Sequence, residues 1–407
     1  MTVRTNPRKL ATEAKLAGLT LPAGETATIA RARAAALSRL TEMGVPQRRD
    51  EYWRFTDPAL LERAGETEAT SVTLPAELAN IPRVGAGAST AEVASLADAL
   101  ETEGHWSQSL FGELETQSHS PVQRPLAAYV TAFATDGVTI RATGDAGQML
   151  HDHGAAPGAL VHSVIRIEPG AQLTLIEVGN PTEAGLSLTE VDIGAGGTFH
   201  HIRLQNDLVS GATYTAVRLD EGAAYHGFTL GANGLAVRNE TYIALTGADA
   251  KAHIGGAWIG QGPSHHDDTV FIKHGAPSCE SRQVYRSVLG RGAIAAFQGK
   301  ILVDQIAQKT DGYQLSQALL LDDEAQFLGK PELEIYADDV KCSHGSTTGS
   351  IDETQLFYLR SRGVPERQAR HLLVLAFLNE TLDEIQDDAL RAAIAGHAER
   401  LAAHHLT

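Results

Sequence analysis

The sequence predicts a mainly β fold with α-helical caps: a right-handed parallel β-helix, or β-solenoid, flanked by N-terminal and C-terminal helical domains. Short alternating segments, each preceded by a glycine-containing turn, recur from residue 159 onward. The glycines that mark these turns are 26, 26, 25 and 28 residues apart, at Gly170, Gly196, Gly222, Gly247 and Gly275. Steps of this length, with no helical pattern between them, indicate repeats that bury their apolar faces by stacking. Turn spacing alone leaves a β-sandwich as the alternative.

Helical patterns before the repeats predict an N-terminal cap. Apolar residues at helical spacing predict a helix over residues 26–43, which Gly44 and Pro46 end, and another over residues 125–133. Residues 74–114 are predicted to form short helices broken by proline and glycine.

Helix returns beyond residue 345, with predicted helices over residues 352–362, 365–378 and 381–405. Pro365 is predicted to occupy the first position of the second of these helices. The predicted organisation is an N-terminal helical and mixed domain over residues 1–140, a β-helix core over residues 141–345 and a C-terminal helical domain over residues 346–407.

The charge balance excludes whole classes of partner. With 50 acidic and 33 basic residues, the formal net charge is −17, so most of the surface repels nucleic acid and anionic membranes. The longest strongly apolar run, residues 372–378, is far too short to cross a bilayer, and the first residues lack the apolar core of a signal peptide. Two cysteines without an export signal fit a reducing compartment, so we expect a cytoplasmic protein with no nucleic-acid or membrane partner.

The segment over residues 332–363 combines a fold change with reactive side chains. An alternating β pattern ends here, and Cys342 lies two residues before His344. Strand alternation puts these two side chains on one face, where a thiolate and an imidazole can join a site for a soft metal. Two ligands do not complete a coordination shell, so a second chain would have to supply the rest. A polar stretch then leads into a helix with Asp352 as N-cap and Gly363 as its left-handed end.

Histidines recur within the repeats. His200, His226 and His253 are separated by 26 and 27 residues, close to one coil each, so they are predicted to stack as a ladder. We interpret this ladder as neutral imidazoles that hydrogen-bond along the column. Metal binding by three or more convergent histidines is the alternative.

The run His265-His266-Asp267-Asp268 is a denser group of possible ligands. Adjacent residues of a strand face opposite ways, so both histidines cannot bind one ion in a regular strand. The run is predicted to be a solvated corner, with metal binding as the alternative. The second cysteine, Cys279, is predicted to be a buried structural thiol.

An aromatic segment lies near the start of the chain, with Tyr52, Trp53 and Phe55 within four positions. It is predicted to be a hydrophobic plug that anchors the N-terminal helix, with ligand stacking as the alternative.

No motif of a nucleophilic, zinc-dependent or phosphate-binding enzyme occurs in the sequence, so we expect neither enzyme activity nor catalytic residues. The alternatives are a histidine-rich metal-binding protein and a β-helix enzyme that acts on polysaccharides. In the enzyme, the solenoid histidines and Asp267 or Asp268 would serve as acid and base.

Several stretches resemble the SufB/SufD iron–sulfur cluster assembly family. Similarity is carried by the C-terminal run ELEIYADDVKCSHGSTTGSIDETQLFYLRSRGV, by KHGAPSCESRQVYRSVL and GAIAAFQGKILVDQIAQKTDGYQLSQALLL, and by the N-terminal EYWRFT. It is dense over residues 265–377 and patchy before them. The chain lacks the cysteine-rich N-terminal motif of many SufB proteins, which separates it from SufB within the family.

The resemblance implies a non-catalytic scaffold subunit of the SUF machinery, needed for nascent Fe–S cluster assembly and iron acquisition. In this family two β-helix subunits pair through the ends of their solenoids, which makes SufB the implied partner. His344 matches the histidine implicated at that interface, with Cys342 beside it in a less defined role. SufC, an ABC-type ATPase, is implied to dock on the C-terminal helices, where Phe357, Tyr358 and Leu375 are candidate contacts that could equally belong to the core.

The resemblance also bears on cofactors and self-association. No cofactor is expected to be held stably by this chain alone, and a nascent Fe–S cluster would be shared with SufB. Flavin is associated with the whole complex in this family, although nothing in this sequence indicates a flavin site. Pairing of isolated chains into a homodimer through the open solenoid end is left open.

Overall fold

The structure is a computed structural model that describes residues 6–62, 75–86, 90–153, 159–179, 185–205 and 210–406. Within these ranges, strands β1 to β17 are Ala91–Ser95, Val138–Ala142, Asp145–Asp152, Leu160–Ile167, Gln172–Val178, Gly185–Ile193, Thr198–Leu204, Ser210–Leu219, Ala224–Ala232, Ala236–Leu245, Lys251–Gly260, His265–His274, Glu280–Leu289, Ile294–Val303, Asp311–Leu320, Gln326–Ile335 and Lys341–Gly349.

From β2 onward the strands wind into a parallel β-solenoid of about seven turns, which confirms the predicted fold class and excludes the sandwich. Over the described residues, the even-numbered strands and β1 form a nine-stranded sheet in the order β1-β2-β4-β6-β8-β10-β12-β14-β16. The odd-numbered strands form an eight-stranded sheet in the order β17-β15-β13-β11-β9-β7-β5-β3. Each strand therefore pairs with the strand one coil away, as stacking of repeats requires.

Strand β1 corrects the sequence analysis, which predicts only short helices in this stretch. It pairs antiparallel with β2, from Ala91 opposite Ala142 to Ser95 opposite Val138. The pairing covers the first edge of the nine-stranded sheet, so a tertiary contact overrides the local sequence pattern.

One corner of the coils carries a column of residues in the left-handed backbone region. They are Gly170, Gly196, Gly222, Asp249, Ser278 and Lys309, with φ between 59° and 71°. Each donates its backbone N–H to a corner carbonyl of the next coil, as Gly170 does to Ala195 at 2.9 Å. The spacing of this column grows from 26 to 31 residues along the chain. The later corners are not glycines, which is why the sequence markers Gly247 and Gly275 do not coincide with them.

The N-terminal domain covers the outer face of the nine-stranded sheet. Its α-helices α1 to α5, in the described ranges, are Pro7–Leu16, Ala27–Met43, Leu96–Glu101, Glu113–Gln117 and Pro125–Phe133. Helices α2 and α5 lie where they are predicted, whereas α1 is not predicted. Ile29 and Leu100 of this domain share a buried core with Val164, Tyr242 and Phe271 of the sheet.

The aromatic segment is a plug, but it anchors the domain to the solenoid as well as to its own helices. The Trp53 side chain is 3% exposed and packs in one cluster with Leu126 of α5 and Tyr214 of β8. The Tyr52 hydroxyl donates a 2.8 Å hydrogen bond to Glu332 of β16. The N-terminal domain therefore reaches the last strand of the nine-stranded sheet.

The prediction of a solvated corner at residues 265–268 is wrong. These residues begin β12, and all four side chains are buried. The predicted alternation holds: His265 and Asp267 contact Thr56 of the N-terminal domain, while His266 and Asp268 pair at 2.8 Å. The local sequence does not predict the burial of these four side chains, because the residues that cover His265 and Asp267 belong to the N-terminal domain, more than 200 residues earlier in the chain.

The C-terminal domain folds back onto the outer face of the eight-stranded sheet. Its helices α6 to α8 are Glu353–Ser361, Glu366–Asn379 and Asp388–His405. Leu356 and Val374 share a buried core with Phe228 and Val288 of the solenoid. The two parts of the chain are therefore joined by a continuous apolar contact.

Most of the predicted helix signals in this domain are confirmed. The Asp352 carboxylate accepts hydrogen bonds from the backbone N–H groups of Thr354 and Gln355, at 2.7 and 3.1 Å, and Gly363 has a φ of 86°. Pro365 is the N-cap of α7 and not its first residue. The helix predicted over residues 381–405 is divided into a 3-10 turn, Leu382–Glu384, and α8.

None of the helices in the described ranges is long and apolar enough to cross a membrane.

Candidate functional site at the open end of the solenoid

The last coil of the solenoid ends in two edge strands. No further strand pairs with β16 or β17 among the described residues, so one side of each presents unpaired backbone groups. Large apolar side chains are exposed in the corner segments of the last coils, with Ile306 70% and Tyr336 60% accessible. Exposed apolar groups beside an unpaired strand are typical of an association surface.

Strand β17 brings Cys342 and His344 to one face, as alternation predicts. Cys342 lies opposite Gly312 of β15, and His344 lies opposite Gln314. Cys342 is half-buried and packs against the apolar cluster that includes Ile301, whereas His344 is exposed. The cysteine therefore belongs partly to the end of the core, and the histidine is the accessible member of the pair.

The electrostatic setting of the two cysteines limits their reactivity. Burial raises the pKa of the Cys342 thiol, and the charge of Asp311 acts in the same direction. The thiol is therefore protonated at neutral pH and must lose its proton before it can bind a metal. Cys279 is 1% exposed, and its Sγ lies 3.2 Å from the carbonyl oxygen of Gly247, which confirms the predicted structural thiol.

The histidine ladder is present. His200 lies opposite His226, and His226 lies opposite His253, on three successive coils. The first two rings stack with centroids 4.7 Å apart and planes at 13°, and the next pair meets edge-on at 5.5 Å. The Gln386 side-chain nitrogen lies 3.3 Å from Nε2 of His226. The ladder thus lies at the contact between the solenoid and the C-terminal domain.

The ladder is electrically neutral at its centre. Burial, together with the smaller effects of the neighbouring His200 and His253, lowers the pKa of His226 to about 3. Within the described part of the chain, no group of three or more His, Cys, Asp or Glu side chains is arranged to hold a metal ion. The geometry fits a stack of neutral imidazoles. The predicted hydrogen bonds along the column are not formed among the described residues, because the His200 and His226 rings stack face to face and His226 lies next to Gln386.

The carboxylates named for an enzyme do not face solvent. Asp267 and Asp268 are buried, one beneath the N-terminal domain and the other in its pair with His266. A polysaccharide could reach neither of them without displacement of a domain or opening of the solenoid.

The candidate contacts on the C-terminal helices divide into two groups. Phe357 and Tyr358 of α6 are 73% and 57% exposed, whereas Leu375 of α7 is partly buried against the core. Leu372 of α7 is 43% exposed, and the sequence alone does not distinguish it from its apolar neighbours. It belongs to the apolar run over residues 372–378, and only the packing of α7 shows which side chains of that run face solvent.

Comparison with known proteins identifies the family. The family model described as SUF system FeS cluster assembly, SufBD core domain, matches residues 150–377, more than half of the chain. The iron–sulfur cluster assembly protein SufD of Escherichia coli is 28% identical over 393 residues, covering 88% of this chain and 89% of the relative.

Two further relatives match over shorter regions. A SufBD family protein of Synechocystis is 34% identical over 208 residues, covering 49% of this chain and 44% of the relative. SufD of Bacillus subtilis is 29% identical over 142 residues, covering 35% of this chain and 32% of the relative. With the solenoid fold and the match to the core domain, the chain belongs to the SufB/SufD family of iron–sulfur cluster assembly proteins, and SufD is the relative that it resembles over most of its length.

Proposed function

We propose that the chain is a non-catalytic, cytoplasmic scaffold subunit of the SUF machinery. It pairs with SufB through the open end of its solenoid and carries the SufC ATPase on its C-terminal helices. The observation that carries this proposal is the unpaired edge of β17, which presents the exposed His344 next to the half-buried Cys342. Family membership supports the role in Fe–S cluster assembly.

An edge strand is a natural site for a second β-helix. Its unpaired N–H and C=O groups can continue the ladder into a partner strand, and β17 offers them along nine residues. Eight of these residues are Gly, Ser, Thr, Cys or His with small or planar side chains, so a partner backbone can approach closely. A homologous solenoid end has the matching strand spacing of about 4.8 Å.

The same edge supplies an incomplete set of metal ligands. Tetrahedral iron sites in proteins take about four ligands, mainly thiolates. Cys342 and His344 offer one sulfur and one nitrogen, and the remainder would come from SufB. The cluster is therefore cargo that is assembled between two chains and passed on, with iron acquisition as part of the same step.

The C-terminal helices connect an ATPase contact to the solenoid. Phe357 and Tyr358 form an exposed aromatic pair of the type enriched in interface hot spots. On α7, which packs against α6, the carbonyl of Phe377 accepts a 2.7 Å hydrogen bond from Arg286 of β13, whose guanidinium lies 4.7 Å from the centre of the Phe377 ring. Strand β13 is two strands from β17 in the same sheet. A force applied to α7 can therefore reach the edge that carries His344.

Substitution of His344 tests the proposed interface. In co-expression with SufB and SufC, His344→Ala is expected to lower the cluster content of the purified complex at least several-fold while the circular dichroism of the chain is unchanged. Cluster content is read from visible absorption and from iron analysis. Ser343→Ala is the matched control because Ser343 lies on the same strand and faces the other way. A normal cluster content in His344→Ala would contradict the assignment.

Substitution of the aromatic pair tests the ATPase contact. Phe357→Ala combined with Tyr358→Ala is expected to abolish recovery of SufC in a pull-down, with no change in thermal midpoint because both side chains are exposed. Leu10→Ala, which removes a half-exposed apolar side chain from α1, is the control. Unchanged recovery of SufC by the double variant would move the contact elsewhere.

A further inference from the structure

A short segment of the N-terminal domain, residues 51–56, crosses the outer face of the nine-stranded sheet, and we call it the N-terminal strap. The centre of the Trp53 ring lies 4.2 Å from the guanidinium carbon of Arg238 on β10. The Thr56 hydroxyl lies 2.9 Å from Nε2 of His265 on β12. All four residues are buried, so this part of the strap is fixed by packing to the middle of the solenoid.

The other end of the strap reaches the last two strands of this sheet. Gln298 of β14 donates a 3.2 Å hydrogen bond to the backbone carbonyl of Tyr52, whose hydroxyl donates to Glu332 of β16 at 2.8 Å. The ammonium group of Lys330, also on β16, lies 2.9 Å from the Glu51 carboxylate and 4.2 Å from the centre of the Tyr52 ring. The strap thus holds the last strand with a hydrogen bond, an ion pair and a cation–π contact.

The hydroxyl bond is the strongest of these three contacts. Burial raises the pKa of Tyr52, and the hydrogen bond to Glu332 acts in the same direction. The hydroxyl therefore keeps its proton at neutral pH and donates it to a carboxylate, which makes a stronger bond than a neutral acceptor does. The ion pair with Lys330 contributes less, because the Glu51 side chain is 69% exposed.

Strand β16 needs this support because it is the last strand of its sheet among the described residues. Seven of the ten residues of β14 are buried, whereas none of the ten residues of β16 is. A strand at the end of a stack lacks the neighbour that would bury it, so local opening is expected there first. The strap supplies, on one face, part of the cover that a further coil would give.

A shift of β16 would reach β17 across the interior of the last coil. Gly329 of β16 faces β17 so closely that a Cβ on this glycine would lie 2.6 Å from Oγ of Ser346. On the side of β17 toward the core, Oγ of Ser316 on β15 donates a 3.0 Å hydrogen bond to the same Ser346 oxygen. Because the two walls of the last coil are in contact, the position of β16 helps to set the position of the β17 edge.

We propose that the N-terminal strap is a positioning segment for the open end: it holds β16 against β14 and thereby keeps β17 in the geometry that pairs with SufB. This inference rests on the proposed function, because it takes the open end as the partner surface. It gives the N-terminal domain a role at that surface, through a contact between Tyr52 and a residue 280 positions later in the chain.

The combined variant Tyr52→Phe and Lys330→Met tests the proposal on the full-length chain. Phenylalanine keeps the ring without the hydroxyl, and methionine keeps the length of lysine without its charge. The β16 amides that bond to β14 are expected to exchange about tenfold faster than in wild type, because local opening becomes easier, while the amides of β10 keep their rates. Hydrogen exchange read by mass spectrometry measures both strands. Tyr52→Phe alone replaces the combined variant if the latter does not fold.

Lys273→Met is the matched control. Lys273 forms a 3.1 Å ion pair with Asp304 in the same sheet, and it lies at the opposite end of β12 from the strap contact at His265. Its substitution is expected to leave both the exchange of β16 and the binding of SufB unchanged. Effects equal to those of the combined variant would overturn the proposal, because loss of any lysine from this sheet would then suffice.

Binding of SufB is the second measurement. The combined variant is expected to bind SufB about tenfold more weakly, because its open end is less preorganised. Recovery of SufC is expected to be unchanged, since the C-terminal helices pack on the other sheet. Unchanged exchange of β16 would overturn the proposal, as would faster exchange with undiminished affinity for SufB or equal acceleration in β10.

The proposed function fails by a different result. If the wild-type chain does not bind SufB, its pairing with SufB is refuted, and with it the role of the strap in that pairing. If wild type binds SufB and the combined variant binds it equally well, only the role of the strap is refuted.

Discussion

Strands β10 and β17 belong to the same solenoid, yet they lie in opposite environments. All ten residues of β10 are buried, while none of the residues of β17 is. Strand β10 has neighbours on both sides and a helical domain on its outer face, whereas β17, among the strands that the structure describes, has a neighbour on one side only. Position in the stack, and not the repeat itself, therefore decides which strand is core and which is available to a partner.

The two regions also differ in how they hold charge. Beneath the N-terminal domain, the fully buried Arg238 pairs with Glu240 at 2.7 Å and with Asp267, and its guanidinium stacks 4.2 Å from the Trp53 ring. At the open end, Lys300 and Glu334 form an ion pair near solvent. Buried pairs are sensitive to loss of one partner, whereas exposed pairs contribute little.

The largest expected effect follows from this difference. Asp267→Asn leaves the charge of Arg238 less compensated inside the protein and is expected to lower the free energy of unfolding by about 3–5 kcal/mol. Glu334→Gln removes the carboxylate of the ion pair at the open end and is expected to change the free energy of unfolding by less than about 1 kcal/mol. Urea denaturation followed by circular dichroism measures both. Equal losses in the two variants would contradict the contrast between the middle and the end of the solenoid.

An intermediate effect is expected from pH, through the ladder in the middle coils. His226 has a folded-state pKa of about 3 and an ordinary value of 6.5 when unfolded. Between these values the unfolded chain binds more protons, so the free energy of unfolding falls as the pH is lowered, by up to about 1.4 kcal/mol per pH unit. The groups facing the ring are His200, His253, Lys251 and Gln386.

The variant that isolates this effect is His226→Gln, which keeps a polar side chain but cannot be protonated. Urea denaturation at pH 7.5 and pH 5.5 is expected to give a smaller difference for the variant than for wild type. The same difference for both proteins would mean that the ladder does not couple protonation to folding.

The smallest expected effect concerns the column of left-handed corner residues, which runs from the middle coils to the open end. Lys309 has a φ of 61°, where a side chain costs about 1 kcal/mol relative to glycine. Lys309→Gly is therefore expected to raise the free energy of unfolding by about this amount, and Gly222→Ala, at a φ of 63°, to lower it similarly. Calorimetric thermal midpoints of the two variants should move in opposite directions. A stabilising Gly222→Ala would show that the corner tolerates side chains freely.

The sequence indicates the solenoid because stacking imposes a period that the turn glycines reveal. The same period predicts the ladder of His200, His226 and His253, and strand alternation predicts the shared face of Cys342 and His344. The sequence does not indicate which outer faces are covered. The burial of residues 265–268 and the docking of Tyr52 on β16 depend on contacts between segments more than 200 residues apart, which no local pattern encodes.

Backbone hydrogen exchange along β17 tests the central claim most directly. In the isolated chain, the amides of β17 that point away from β15 are expected to exchange rapidly, because no strand in the described part of the chain accepts from them. In complex with SufB they are expected to become at least tenfold slower, while the amides of β10 exchange equally slowly in both states. Unchanged rapid exchange along β17 in a complex that is otherwise intact would contradict the assignment of this edge as the partner surface.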